Sequence, residues 1–328
     1  MENKMKDKLA KNKNIILAVL VGILPLIFYG NSYFILLLCT TGISIIVVSG
    51  LDILFGYTGQ ISLGHAAFYC IGAYTSAILS RNFHVPVFLT LFIGAAVATL
   101  FAVLIAIPAV KLVHHFLALV TISFGRLAYL FVAHAKNLTE GFSGMNFIPR
   151  PSLGSFEFDS NFSYFYIVYV FLLIFLIVKK RLIDSSTGRA FIAIRENPHA
   201  SEGMGVNNTR FKVMAFAISA FYTGFGGALY AHLIGFISPE TFDSDQSIRF
   251  LTMLLFGGMG NMYGSILGAV ALTAVAEYLQ KLGTYQMLAY GVFLLFIVVF
   301  IPSGITRGVN VLSFFKKKKK GERGYAGS

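Results

Sequence analysis

The stretch from Gly188 to Lys212, GRAFIAIRENPHASEGMGVNNTRFK, is the one long polar segment lying between two hydrophobic runs of membrane length. It carries Arg189, Arg195, Glu196, Arg210 and Lys212, with Pro198 where a short helix can begin and Gly205 where it can stop. The spacing predicts a short surface helix held out from the bilayer into the cytoplasm. One or two turns with so few apolar residues are not stable alone in water, so the helix needs a surface to rest on. The natural occupant is a partner protein.

Composition sets the frame around that segment. The chain has 328 residues, 56% hydrophobic and 12% charged, with a mean hydropathy of +0.75. A soluble domain carries about twice that charged fraction. The expected fold is all-α, a polytopic membrane helix bundle. A formal charge of +12 could suggest nucleic acid, but the basic residues cluster between spans and at both ends, which positive-inside topology explains. Cys39 and Cys70 sit inside apolar runs and read as small buried hydrophobes rather than disulfide partners or metal ligands.

Length and charge lay out the spans. Residues 1–14 form a basic cytoplasmic N-terminus with Lys4, Lys6, Lys8, Lys11 and Lys13. They precede an apolar run, Ile15 to Tyr29, as in a signal peptide. The small residues of a cleavage site are missing and more membrane follows, so an uncleaved first span is expected. The transmembrane domain covers 15–301. Its further spans are Tyr33 to Gly50, Gly64 to Ser80, Val87 to Ile107, Phe116 to His134 and Phe162 to Val178, and the sixth delivers Lys179, Lys180 and Arg181 to the cytoplasm. After the cytoplasmic segment 179–212 come Val213 to Phe236, an acidic external loop from Ile237 to Gln246, and the runs Ser247 to Met259, Tyr263 to Leu279 and Tyr285 to Ile301. That makes about ten spans, of which Ser247 to Met259 is short enough to be broken or tilted. Residues 302–328 form a basic cytoplasmic tail, where Lys316 to Lys320 gain roughly 1 kcal/mol each from anionic membrane lipid and need no nucleic acid.

Two glycine-rich elements interrupt the spans at matching places. Gly56, Gly59, Gln60 and Ser62 belong to the first, which His65 follows directly; Gly257, Gly258, Gly260 and Asn261 belong to the second. Unwound backbone at membrane depth is tolerated only where it is buried or lines a wet cavity, and corresponding breaks in two halves point to a path. Two readings stand: these nine residues line a translocation path, or they form tight turns and small-residue packing. His65 likewise is a path-lining group or a helix-end histidine held by a backbone carbonyl. Arg126 is the one charge near the middle of the span Phe116 to His134, so it is expected to face the bundle interior with a partner or water.

Several runs together carry a resemblance. GYTGQISLGHAAFYCIGAYTSAIL, FLALVTISFGRL followed by LTEGFSGMNFIP, the segment from Gly188 through the glycine-rich helix to Ala231, and FGGMGNMYGSILGAV resemble, in order, the Liv-type permease subunits of branched-chain amino acid ABC importers. The match covers most of Leu51 to Ile301. The extended loop before Phe162 and the IRENP wording resemble the M-type of the two paired permeases. The resemblance implies a bacterial inner-membrane subunit that works with a second Liv-type permease, two cytoplasmic ABC ATPases and an extracytoplasmic solute-binding protein. It also implies an ATPase-coupling segment made of Arg189, Arg195, Glu196, Asn197, Pro198, His199, Ala200, Ser201 and Gly205. The Glu-Ala-Ala then Gly pattern of importer permeases falls on His199, Ala200, Ser201 and Gly205; Ala200 and Gly205 match, while His199 and Ser201 depart. Small residues let the helix sit deep in a groove, and Arg189 and Arg195 either pair with acidic groups there or simply obey the positive-inside rule.

No cofactor is expected in this chain, ATP and magnesium belonging to the partner ATPases. The sequence contains no G-x-x-x-x-G-K-[ST] stretch, no H-E-x-x-H run and no G-x-S-x-G elbow, so an enzymatic role is not expected. Branched-chain amino acids are the expected solutes; urea, short amides or other amino acids are the alternatives. An ion-coupled carrier or channel would show acidic residues at mid-span, whereas Asp52 and Glu277 lie toward span ends. For Arg126 the favoured role is an ion pair with the second permease, and the other is a path-lining cation that meets a substrate carboxylate.

Overall fold

The computed structural model of the chain describes residues 21–26, 28, 30–109, 114–153, 156–281 and 283–285, together with 288–289, 291–292, 295 and 304–305. Among the described residues ten helices organise it, beside the single turn Lys136–Thr139. They are α1 Ser32–Leu51, α2 His65–Asn82, α3 Val87–Ala109, α4 His114–His134, α5 Asn161–Asp184, α6 Ser186–Glu196, α7 Pro198–Gly203, α8 Asn208–Ile234, α9 Ser244–Gly257 and α10 Met262–Gln280. Helix α1 runs straight into a π-helical turn, Asp52–Tyr57. The described β-structure is minor: β1 Ser152–Leu153 pairs antiparallel with β2 Phe156–Glu157, and Met145 bridges Ile237.

The expected helical bundle is present, with six described helices long and apolar enough to cross a membrane. They are Ser32–Tyr57, Val87–Ala109, Phe116–His134, Asn161–Asp184, Asn208–Ile234 and Met262–Gln280. The proposed spans Ile15 to Tyr29 and Tyr285 to Ile301, with the basic ends, lie mostly or wholly outside the described residues. The two remaining runs, Gly64 to Ser80 and Ser247 to Met259, correspond to shorter helices, α2 of 18 residues and α9 of 14.

Helix ends follow local chemistry. Asn31, Ser160 and Asn207 cap α1, α5 and α8 by accepting from the amides of Phe34, Ser163 and Arg210. Gly235 closes α8 in the left-handed region, φ 75°.

Helix α8 packs at the centre against α1, α2 and α3. In lipid no hydrophobic drive separates helix from solvent, so close approach of backbones supplies the cohesion. Gly72 of α2, Gly94 of α3 and Gly224 of α8 meet at one crossing, where a Cβ on Gly94 would stand 2.7 Å from the Gly72 carbonyl oxygen. Ala95 and Ala98 flank it, both fully buried.

The two short helices start inside the bundle. Ser219, eleven residues into α8, bonds His65 at the start of α2, and the Ala66 amide donates to Ser247 Oγ near the start of α9 (2.8 Å). The segment Ile237 to Gln246, expected as an acidic external loop, is anchored on the bundle rather than free of it. Ile237 pairs with Met145, and buried Phe242 packs on the rings of Tyr69 and Tyr74 at 5.7 Å, drawing the acidic segment inward until α9 begins. Two apolar anchors outweigh three carboxylates because only the anchors are buried.

Candidate coupling and translocation site

The π-turn after α1 places Asp52 at the end of the bundle where α5 finishes and α6 begins. Such bulges recur at functional sites. Asp52 and Lys179 are both buried, 0% and 1% exposed, with Nζ 2.9 Å from Oδ2. Asp52 Oδ1 accepts from the Gly260 amide (2.7 Å), and Lys179 donates to Ser265 Oγ (3.1 Å), which Ser49 also reaches (3.2 Å). One ion pair therefore ties α1, α5 and the second glycine element together. The surrounding hydrogen bonds matter, since a buried pair repays its desolvation only when its remaining donors and acceptors are satisfied.

Gly56, one turn beyond Asp52, has no room for a side chain: a Cβ would run into the Asp52 carboxylate and stand 2.6 Å from Gly260 N. The two glycine elements thus touch. Arg195 of α6 donates from Nη1 to the Gly56 carbonyl, beside Gly260, while its aliphatic stem lies against Gly59, which turns in the left-handed region at φ 72°. The polar segment, the first break and the second break are linked by one guanidinium and one carboxylate.

The other residues nominated for a path are packed within the chain. Gln60 Nε2 bonds Thr58 Oγ1 (2.9 Å) and the Lys212 carbonyl (3.2 Å). His65 lies between Ser62 Oγ (3.2 Å) and Ser219 Oγ (2.8 Å), so serine hydroxyls hold it rather than a carbonyl. Gln60, Ser62 and His65 are all buried. Gly257 packs against Gly264 and Gly268 of α10, where a Cβ would stand 2.9 Å from Gly268 N. Gly258 and Gly260 have φ of 107° and 70°, and Asn261 caps α10 through Tyr263 N (3.1 Å).

In the polar segment, Ser185 caps α6, whose Phe191 and Ile194 are buried against the bundle. Asn197 then caps α7 by accepting from the amides of His199 and Ala200, both 3.0 Å, and Pro198 opens that helix. Gly205 follows at φ 83° with open space where a Cβ would be. Arg189, Glu196, Asn197, His199, Ala200 and Gly205 are exposed. Ser201 is not: its hydroxyl donates to Asn208 Oδ1 (2.7 Å), bracing α7 against α8. Arg195 also turns inward, so neither side chain belongs to the outer face.

Arg126 departs from expectation in direction. It faces outward from the chain, 3.5 Å from Asp243 Oδ1 and with the Tyr129 ring centroid 4.8 Å from its guanidinium carbon. Its acidic partner comes from this chain: Asp243, which caps α9 directly after the buried Phe242. Sequence reasoning also missed Lys179 and Asp52 as a pair, and Met204, which is 83% exposed at the tip beyond α7.

Residues 33–301 match the family described as branched-chain amino acid transport system, permease component. Two relatives are high-affinity branched-chain amino acid transport system permease proteins LivM, of Salmonella typhimurium and Escherichia coli. Each is 32% identical over 288 residues, 81% of this chain and 68% of the relative. A shorter likeness, 29% over 119 residues, joins 34% of the chain to 33% of an autoinducer 2 import system permease protein LsrC of Yersinia enterocolitica. No solved structure matches. With the family description spanning both glycine elements and the polar segment between them, the chain belongs to the permease-component family of branched-chain amino acid transport systems, as a multi-pass protein of the bacterial inner membrane.

Proposed function

We propose that the chain pairs with a second permease to form the path for branched-chain amino acids, and that two cytoplasmic ATPases drive it through α6 and α7. The named activity of the LivM relatives supports the solute class. The observation that carries the coupling reading is Arg195. It sits on the polar segment yet bonds the Gly56 carbonyl, and Gly56 touches Gly260, whose amide is held by Asp52. A partner that displaces α6 and α7 would pull on both unwound elements at once. The rest of the segment suits docking. Exposed Ala200, Gly203 and Gly205 keep its outer face low, so a neighbouring groove can close over it, and Met204 supplies an apolar knob. ATP and magnesium would act on the partner chains, and an external binding protein would deliver the solute.

Ala200→Trp and Gly205→Leu test this. Ala200→Trp adds bulk to the outer face without touching the core. Gly205→Leu adds bulk there together with about 1–2 kcal/mol of local strain, because Gly205 stands in the left-handed region. With Ala200→Trp as the unstrained variant, the permease should still insert and fold. Co-purification of the ATPases and ATP-driven leucine uptake in vesicles should both be lost. Normal uptake with both variants would overturn the coupling assignment.

A further inference from the structure

We propose that Arg126 and Asp243 form a weak binding subsite for a zwitterion, the head group of an α-amino acid, on the face shared by α4 and the start of α9. The proposal rests on the importer reading above. Depth distinguishes this pair from ordinary surface charges. Arg126 lies eight residues before the end of α4, about 12 Å along its axis, and Asp243 caps a helix that starts inside the bundle. Yet the two side chains keep 56% and 42% of their surface exposed. Charges at such depth are costly against hydrocarbon, so water or another subunit must cover them.

The chemistry of the pair selects between those covers. A separation of 3.5 Å is long for a charge-assisted hydrogen bond, which prefers about 2.7–2.9 Å. Asp243 Oδ1 is drawn instead to the Ser244 amide at 2.7 Å. The guanidinium keeps most of its donors and the carboxylate keeps Oδ2. An amino acid offers one carboxylate for the first and one ammonium for the second. A lone arginine on a path would hold an anion and slow its release; with Asp243 beside it the site is neutral overall and binds a dipole loosely, as passage requires. Ile122, one helical turn before Arg126 on the same face, is exposed and gives an aliphatic side chain a surface to follow.

The test uses the assembled importer in lipid nanodiscs and vesicles, with Arg126→Gln and Asp243→Asn. Both variants should assemble with the ATPases in normal amount. Leucine import per assembled complex should fall about tenfold or more, the loss of one charge-assisted hydrogen bond. A second readout bypasses the binding protein: Ser123→Cys places an exposed thiol three residues before Arg126, while native Cys39 and Cys70 are buried. Millimolar leucine should slow its alkylation, and leucinamide or 4-methylpentanoate, each lacking one charge, should not. Reduced assembly with normal import per complex would make the pair a subunit contact, and equal protection by all three solutes would make it indifferent to zwitterions; either result overturns the proposal. Wild-type complex that fails to assemble with ATPases would instead overturn the importer reading.

Discussion

Lys179→Met offers the sharpest perturbation of the interior, because it removes one member of an ion pair that is 1% and 0% exposed. The Asp52 carboxylate would keep the Gly260 amide on Oδ1 and lose the ammonium that contacts Oδ2. Removing one partner of a buried pair costs about 3–5 kcal/mol. That is roughly a hundred- to several-thousand-fold in the folded ratio. Asp52→Asn should cost a similar amount from the other side, since its amide oxygen can still accept from Gly260 while the ammonium is left with Ser265 alone. The double variant Asp52→Leu, Lys179→Met removes both charges and forfeits chiefly the bond to Gly260, about 1–3 kcal/mol. Equilibrium unfolding of the purified permease in mixed micelles measures all three. Single variants within 1 kcal/mol of the parent, or a double variant no better than the worse single, would refute the coupled buried pair.

Other expectations follow from the same packing. Gly72→Leu should prevent folding, since even a Cβ there meets the Gly224 backbone; the yield of detergent-stable protein measures it. Arg195→Gln removes the charged bond to the Gly56 carbonyl while leaving the outer face of α7 intact, so ATPase subunits should still co-purify while leucine moved per ATP hydrolysed falls several-fold. A cysteine at exposed Asn146 should label with an impermeant reagent from outside the cell and one at exposed Glu202 should not.

The long helices were legible because a bilayer demands apolar length, and the runs behind α1, α3, α5, α8 and α10 meet that demand plainly. The short helix at Pro198 was legible from its proline and its glycine, though the capping Asn197 fixed its start. Burial was harder to read. Lys179 opens a Lys-Lys-Arg run that looks like a topology signal, and only packing against Asp52, 127 positions away, turns it inward. Arg195 looks like a docking cation until the π-turn brings the Gly56 carbonyl beneath it. Asp243 sits in an acidic stretch that reads as external; the anchoring of Phe242 on Tyr69 and Tyr74 is a tertiary fact with no local signature.

Solute uptake by a strain lacking this chain, complemented with it, tests the central claim most directly. Labelled leucine, isoleucine, valine, urea and a short amide would be compared with cellular ATP intact or depleted and the ion gradients held constant. The account predicts restored uptake of the three branched-chain amino acids that stops when ATP is depleted. Uptake that survives ATP depletion and follows an ion gradient would contradict it.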